Sequence, residues 1–404
     1  MASRVPDIMT EPAAWSKAIH VGEEYMSYYN DVIDTGVGGI VILGLTDSIE
    51  AVDLDAPEVL WTMTNGDSYY LYFGTLDDGS GLVLTSGPVL MVDLRSGETI
   101  ETDALEYGER VVAIDDGLII TAIQTDTENE YCGHSQTDFS AGCLWTVGIR
   151  NLDEQPMIPM VFGDGRWMNA ADGVFDIFTG EMASFGADST GSVYYAGPRD
   201  GVVRVSMGKA TAQMQPWDTT NGRALSAAVE IKGDLTTWIQ NDQPNKDRPW
   251  LLTQEYSDSS TLVLRAYSWQ TGQMLWETPM KLGKWTSSCA GLEISSSTIM
   301  VLMNITLADP PIDCSNPQYA VVDGGTGRVL VQRKQDFNAV GAGSRVVYLA
   351  ESPDWALVAH DMASSGFDTL WTMPVPGESA GYVAAAGHIF AWSYDDDELW
   401  VLQP

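Results

Sequence analysis

Positive charge is scarce in this chain. Twenty Lys and Arg stand against 56 Asp and Glu in 404 residues, a formal net charge of −36. Phosphate contacts need a basic face, so this balance argues against a nucleic-acid partner, and against charge-driven docking on an anionic membrane. Long apolar runs are missing as well. The best stretches are as short as Gly38–Leu45 (GGIVILGL), far below the eighteen or so residues of a membrane-spanning helix. Histidines number four, His20, His134, His360 and His388, and none sits in an H-x-x-x-H or H-E-x-x-H pattern, so a zinc site has no motif behind it. Neither G-x-S-x-G nor a P-loop occurs, which leaves a nucleophile elbow and a phosphate cradle without support. The start, MASRVPDIMTEPAAW, lacks the apolar core of a secretory signal. It reads as a start from which an upstream signal or anchor has been removed, the alternative being a native cytosolic N-terminus.

Cysteine is sparse, at four residues: Cys132, Cys143, Cys289 and Cys314. Three pairings are open to four cysteines. The nearest-neighbour one, Cys132 with Cys143 and Cys289 with Cys314, closes two local loops, each flanking a polar, turn-rich stretch. Such bridges are structural, contributing about 2–4 kcal/mol each by restricting the unfolded chain. They favour an oxidising, extracytoplasmic site. Four separate core thiols are the alternative, and the missing C-x-x-C spacing argues against metal.

What the chain has is repetition. Hydrophobic residues make up 45% and glycine supplies 39 positions, a composition for a turn-rich β protein and not for disorder. A short apolar strand ends in Asp, a turn closes on Gly, and a second strand ends on Leu-Trp. The clearest copies are Met91–Ile100 (MVDLRSGETI), Val174–Ala183 (VFDIFTGEMA), Ala266–Pro279 (AYSWQTGQMLWETP) and Val321–Gln332 (VVDGGTGRVLVQ). Weaker ones are Ala51–Met63, Leu144–Met160, Val202–Pro216 and Leu357–Pro374, and the chain ends in DDDELWVLQP. Asp93, Asp176 and Asp323 can bond backbone two residues on and start a turn. Gly97, Gly180, Gly272 and Gly327 fall where a type I turn needs a left-handed closing residue. Trp61, Trp145, Trp276 and Trp371 follow Leu in the last strand, where a large flat ring can pack between neighbouring sheets. Further strands precede each hairpin, among them Ser80–Gly87, Asp116–Ile123 and Ser344–Glu351. Eight units and a terminal half unit result, at about fifty residues each, near the size of a propeller blade.

The Asp-x-x-Thr-Gly-x-x-Leu-Trp pattern resembles the repeat of the pyrroloquinoline-quinone-like propeller superfamily, over roughly residues 38–404. The resemblance implies an all-β fold, an eight-bladed β-propeller of four-stranded antiparallel blades closed by N- and C-terminal strands. Residues 1–20 then read as a leader and 21–404 as one propeller. The fold hosts both enzymes and inert binders. The enzymes commonly carry adjacent cysteines over the quinone, and this chain has none.

Acidic clusters at Asp77-Asp78, Asp115-Asp116 and Asp395–Glu398 lack the spacing of a calcium loop and read as solvated turn carboxylates. His134 reads as a surface residue. Trp167, Trp238, Trp250, Trp285 and Trp355 lie outside the Leu-Trp pattern and are the candidates for a ligand-stacking surface. The favoured function is an extracytoplasmic, non-enzymatic scaffold for a protein or cell-envelope partner, without cofactor. The second is a quinone- and Ca2+-dependent oxidoreductase, and the third a hydrolase or lyase acting on polysaccharide.

Overall fold

A computed structural model describes residues 7–20, 32–45, 48–64, 71–85, 88–105, 109–115, 117–125, 128–150, 160–162, 166–170, 173–182, 192–196, 201–207, 212–218, 223–235, 250–258, 261–268, 270–281, 291–294, 298–302, 319–333, 337–351, 354–364, 366–376, 380–393 and 398–403. Among these the strands form nine antiparallel sheets, six of them four-stranded meanders. The chain divides into two compact units, Val21–Glu230 and Met1–His20 with Ile231–Pro404. The former holds the first five sheets in chain order, the latter the remaining four.

Strand composition explains the layering. In the first sheet, strands Val32–Asp34, Ile40–Gly44, Ser48–Asp53 and Glu58–Thr64 follow one another. Ile40 to Leu43 are all buried, and so are Ser48 to Val52. The same holds for Leu118–Ala122, Leu262–Tyr267, Val346–Ala350 and Leu357–Asp361. These inner strands are covered on both faces, so they read as continuous apolar runs and not as the alternation expected from the repeat. Alternation survives in the outer strands. Met274–Lys281 buries Trp276, Thr278 and Met280 and exposes the residues between. Each buried Ile or Leu contributes roughly 1.5–3 kcal/mol, against about 1 kcal/mol for a turn hydrogen bond. Inner-strand packing therefore holds the sheets together, and the turns set their register.

The hairpin turn is built the same way in sheet after sheet. Asp93 Oδ1 accepts the amides of Arg95 and Ser96 at 3.0 and 2.8 Å, and the Gly97 amide reaches the Asp93 carbonyl at 2.9 Å. Asp323 repeats this with Gly325, Thr326 and Gly327, and Asp176 with Phe178 and Gly180. Ser268 stands in for Asp in the turn closed by Gly272. The four glycines have φ between 68° and 70° or at 71°, the left-handed region. The strand pairing slips by one residue beside the turns at Asp93 and Asp323, as a type I turn closed by a glycine bulge requires. Burial opposes ionisation of Asp93 only weakly. The Ser96 amide is the leading cause that holds its carboxyl below the usual range.

Three of these turns, those closed by Gly97, Gly180 and Gly327, also receive a ring. Trp61, on the outer strand of the first sheet, donates its Nε1–H to the Leu94 carbonyl of the second sheet at 2.8 Å. Trp276 donates to Gly324 of the seventh sheet at 2.9 Å. A Cβ on Gly97 would lie 2.8 Å from the Trp61 ring, one on Gly327 2.6 Å from Trp276, and one on Gly180 3.1 Å from Trp145. The glycine is needed twice, for its φ and for its bare face. Trp371 finds a different acceptor, the carbonyl of Ile8, at 2.8 Å.

That contact brings in the chain start. Ala14–Trp15 and Ile19–His20 pair with the last strand, Glu398–Gln403, in the registers Trp15↔Leu402 and Ile19↔Leu399. With Ala380–Ala385 and His388–Ser393 they make the terminal half unit a full sheet. Among the described residues nine sheets result, against the eight units and terminal half unit counted in the sequence. The pairing also puts strand-forming residues inside the segment 1–20 that reads as a leader. Asp7 accepts the amides of Arg345 and Val346 at 2.8 and 2.9 Å and a hydroxyl from Ser344. Ile8, Met9 and Trp15 pack on the cluster of Tyr348, Trp371, Ile389 and Leu402. Burial pushes the Tyr348 hydroxyl up to about 12, partly offset by the Ile8 amide that it accepts.

Two outcomes are expected. Gly97→Ala should cost about 2–3 kcal/mol, from strained φ plus overpacking against Trp61. Gly36→Ala, at φ +71° with nothing within 4 Å, should cost about 1 kcal/mol. Urea denaturation of both variants checks the difference, and equal costs would remove the ring contact from the account. Removing residues 1–20 should lower Tm by roughly 10 °C, since each kcal/mol is worth about 2–4 °C in a body of this size. A calorimetric Tm equal to that of the full chain would show that the N-terminal strands carry no stability.

Candidate functional site

Chemistry-bearing side chains converge on one insert, between the inner strand Glu128–Ser135 and the outer strand Trp145–Arg150 of the third sheet. Cys132 and His134 are two apart on a strand and so share a face. Their neighbours on strand Leu118–Gln124 are Thr121 and Ile119. Cys132 is joined to Cys143 by a disulfide with Cα atoms 5.5 Å apart. Gly133 lies beneath the Trp145 ring, where no Cβ fits. The enclosed residues turn through a short 3-10 helix, Phe139–Ala141.

Expected at the surface, His134 is in fact buried. Its Nε2 lies 3.0 Å from Cys132 Sγ and 3.2 Å from Thr121 Oγ1. The ring stacks on Phe139 with centroids 4.2 Å apart. The reason is the apolar plug. Phe139 is buried among Leu76, Val83, Met91 and Ile119 of the second and third sheets, and it carries the loop down over the imidazole. A Cys-x-His pair on one strand was the signal that could have shown this.

Polar contacts clamp the insert to the second sheet. Glu101 accepts the Ser140 amide at 2.9 Å and the Phe139 amide at 3.3 Å. Gln136 donates to Asp77 Oδ2 at 2.9 Å and accepts the Asp77 amide at 3.0 Å. Asp77 also accepts the amide of Gly117. Burial works to raise the pKa of Glu101, but the two amides outweigh it and hold the carboxyl below its ordinary 4.5. Asp78 is likewise a turn cap, taking the amide and hydroxyl of Ser80.

Among the described residues, Cys132, His134 and Cys143 are the one group of three or more His, Cys, Asp or Glu close enough to share a metal ion. Two sulfurs and an imidazole suit a soft cation, not the hard Ca2+ that the quinone reading requires. In this structure the sulfurs are tied to each other.

Other candidate residues are distributed elsewhere. Asp93, Asp176, Asp323, Gly97, Gly180, Gly272 and Gly327 lie in the turns, and Trp61, Trp145, Trp276 and Trp371 on the outer strands. Trp250 is buried edge-on to Trp276 at 6.5 Å. Trp167 carries the Arg166 guanidinium 5.1 Å above its ring. Trp355 is exposed, at φ +52°. His360 is buried between Glu351 Oε1 at 2.9 Å and the stacked ring of Phe367. Cys289, Cys314, Trp238, Trp285, Asp116, Asp395, Asp396 and Asp397 lie outside the described residues.

No protein-family model matches the chain, and no curated protein matches it either. Solved structures do. The chain is similar to BamB from Moraxella catarrhalis at 14% identity over 97% of this chain and 99% of that one, with a TM-score of 0.46. It is similar to the dihydro-heme d1 dehydrogenase NirN at 12% identity over 82% and 75%, with a TM-score of 0.46. A β-propeller domain from Myceliophteria thermophila aligns at 12% identity over 96% and 98%, with a TM-score of 0.37.

The clamp carries a pH signature. A carboxyl whose pKa is lower folded than unfolded stabilises above its unfolded value, and the effect is lost as pH falls through the folded one. The contribution of Glu101 is thus present above its ordinary value of about 4.5 and is lost progressively as the pH falls from there through the lower folded value. Glu101→Gln should flatten the acid limb of stability, read as urea midpoints from neutral pH to about pH 3. An acid limb identical to that of the parent would mean that the two amides do not favour the carboxylate.

Proposed function

We propose that the sheets are the blades of a β-propeller of the pyrroloquinoline-quinone-like repeat type, serving as an extracytoplasmic, non-catalytic scaffold for a protein partner. The observation that carries the binding role is apolar exposure around one socket. Leu144 is 61% exposed, Met182 50% and Phe178 43%. Leu144 precedes Trp145, Phe178 lies in the turn whose Gly180 meets the Trp145 ring, and Met182 is bridged to Phe175, which touches that ring edge-on. Large side chains grouped on an acidic body fit a partner that offers an apolar anchor ringed by basic residues. The disulfide at Cys132 and Cys143 supports an oxidising compartment.

Photo-crosslinking tests this. A benzophenone amino acid at Leu144 or Phe178 is expected to capture a protein in the envelope fraction of the producing cell, and capture should weaken with salt. The same probe at Leu225, exposed to a similar degree in the same unit, should capture none. Equal labelling from all three positions would defeat the proposed surface. Alcohol- or sugar-dependent dye reduction after adding pyrroloquinoline quinone and Ca2+ would make the protein an oxidoreductase instead.

A further inference from the structure

The two ends of the Cys132–Cys143 bridge differ in surroundings. Cys143 is exposed at the loop end, while Cys132 is buried on its strand. The His134 imidazole sits against Cys132, with Nε2 3.0 Å from its Sγ. The imidazole is held in place by the stacked Phe139 ring and by Thr121 Oγ1. A disulfide breaks when a thiolate attacks one sulfur and the other leaves, and the better-stabilised thiolate leaves faster. Access and stabilisation here select the same direction.

We propose that the bridge is a directional thiol-exchange site, where an incoming thiol forms a mixed disulfide with Cys143 and Cys132 is the leaving group. The ligand class is a small or protein-borne thiol. In the step, the incoming thiolate sulfur bonds to Cys143 Sγ and the Cys132–Cys143 bond breaks. The electron pair goes to Cys132 Sγ, where a hydrogen bond from His134 Nε2–H meets the new charge. The proton lost by the incoming thiol can then settle on the Cys132 sulfur. No net oxidation occurs, since one disulfide replaces another. The released Cys132 thiolate can attack the mixed disulfide at Cys143, expel the thiol and restore the bridge. Because the loop between the two sulfurs carries Phe139 and Ser140, whose amides reach Glu101, the exchange acts on the clamp between the second and third sheets. A bridge kept only for stability has no need of the imidazole at Cys132. This proposal stands apart from the partner surface around Trp145 and does not depend on it.

The test uses the full oxidised chain and glutathione as the probe. The reaction is stopped with acid, free thiols are alkylated, and peptides are mapped by mass. Glutathione is expected on Cys143 and the alkyl group on Cys132, in a ratio above about ten to one. Peptide mapping separates these from Cys289 and Cys314. His134→Gln should slow adduct formation roughly tenfold, through loss of a charge-assisted hydrogen bond to the leaving sulfur. Glu101→Gln, which leaves the sulfurs and imidazole in place, should retain the direction of attack. Equal partition between the two sulfurs, an adduct mainly on Cys132, or a His134→Gln rate equal to that of the parent overturns the proposal. If the His134 variant does not fold, the partition in the parent chain decides alone.

Discussion

The contact on which this architecture depends is an indole lying on a glycine. A turn begun by Asp and closed by a left-handed Gly leaves a flat, bare patch of backbone with one free carbonyl. Trp61 and Trp276 occupy such patches from the preceding sheet and bond that carbonyl, at Leu94 and Gly324. One ring joins two sheets and fixes their relative register at the same time. Apolar burial supplies most of the free energy, but burial has no direction. The hydrogen-bonded indole adds the direction, which is why the same residue types recur at the same place in successive units.

The N-terminal segment solves the same problem without the motif. Trp371 has Ile8 as its acceptor, and the Trp15 indole bonds the Pro374 carbonyl at 2.9 Å. Asp7 caps the strand start at Arg345 and Val346 as the turn aspartates cap their own hairpins. A short stretch of chain thus covers the edge of Glu398–Gln403, which would otherwise present unpaired backbone to other molecules.

The repeat was readable because its turn chemistry is local. Asp93, Gly97 and their counterparts act within five residues, so the pattern in the sequence is the mechanism itself. Trp61 and Trp145 could be placed on outer strands for the same reason, though not assigned to particular sockets, which are 33 residues away in sequence for the Trp61–Leu94 bond. The inner strands misled in one respect. Runs such as Ile40–Leu43 mean burial on both faces, which local alternation does not express. His134 looked like a surface residue because its loop is polar, and only the fold brings Phe139 over it. That an N-terminal strand pairs with the C-terminal sheet is expected from the terminal half unit, but not that Ala14–Trp15 and Ile19–His20 supply it, since two-residue strands carry no periodicity.

That pairing sets an order of events at the ribosome. The Val401 amide donates to Ser16 Oγ at 2.9 Å and the Ser16 amide to the Val401 carbonyl at 2.8 Å, a contact that spans 385 residues. At a synthesis rate of about 5–20 residues per second, the first strands wait roughly 20–80 s for their partner. During that interval Trp15 and Ile19 lack the strand they later cover. The last sheet is therefore a timer: it cannot form before Glu398–Gln403 has been made.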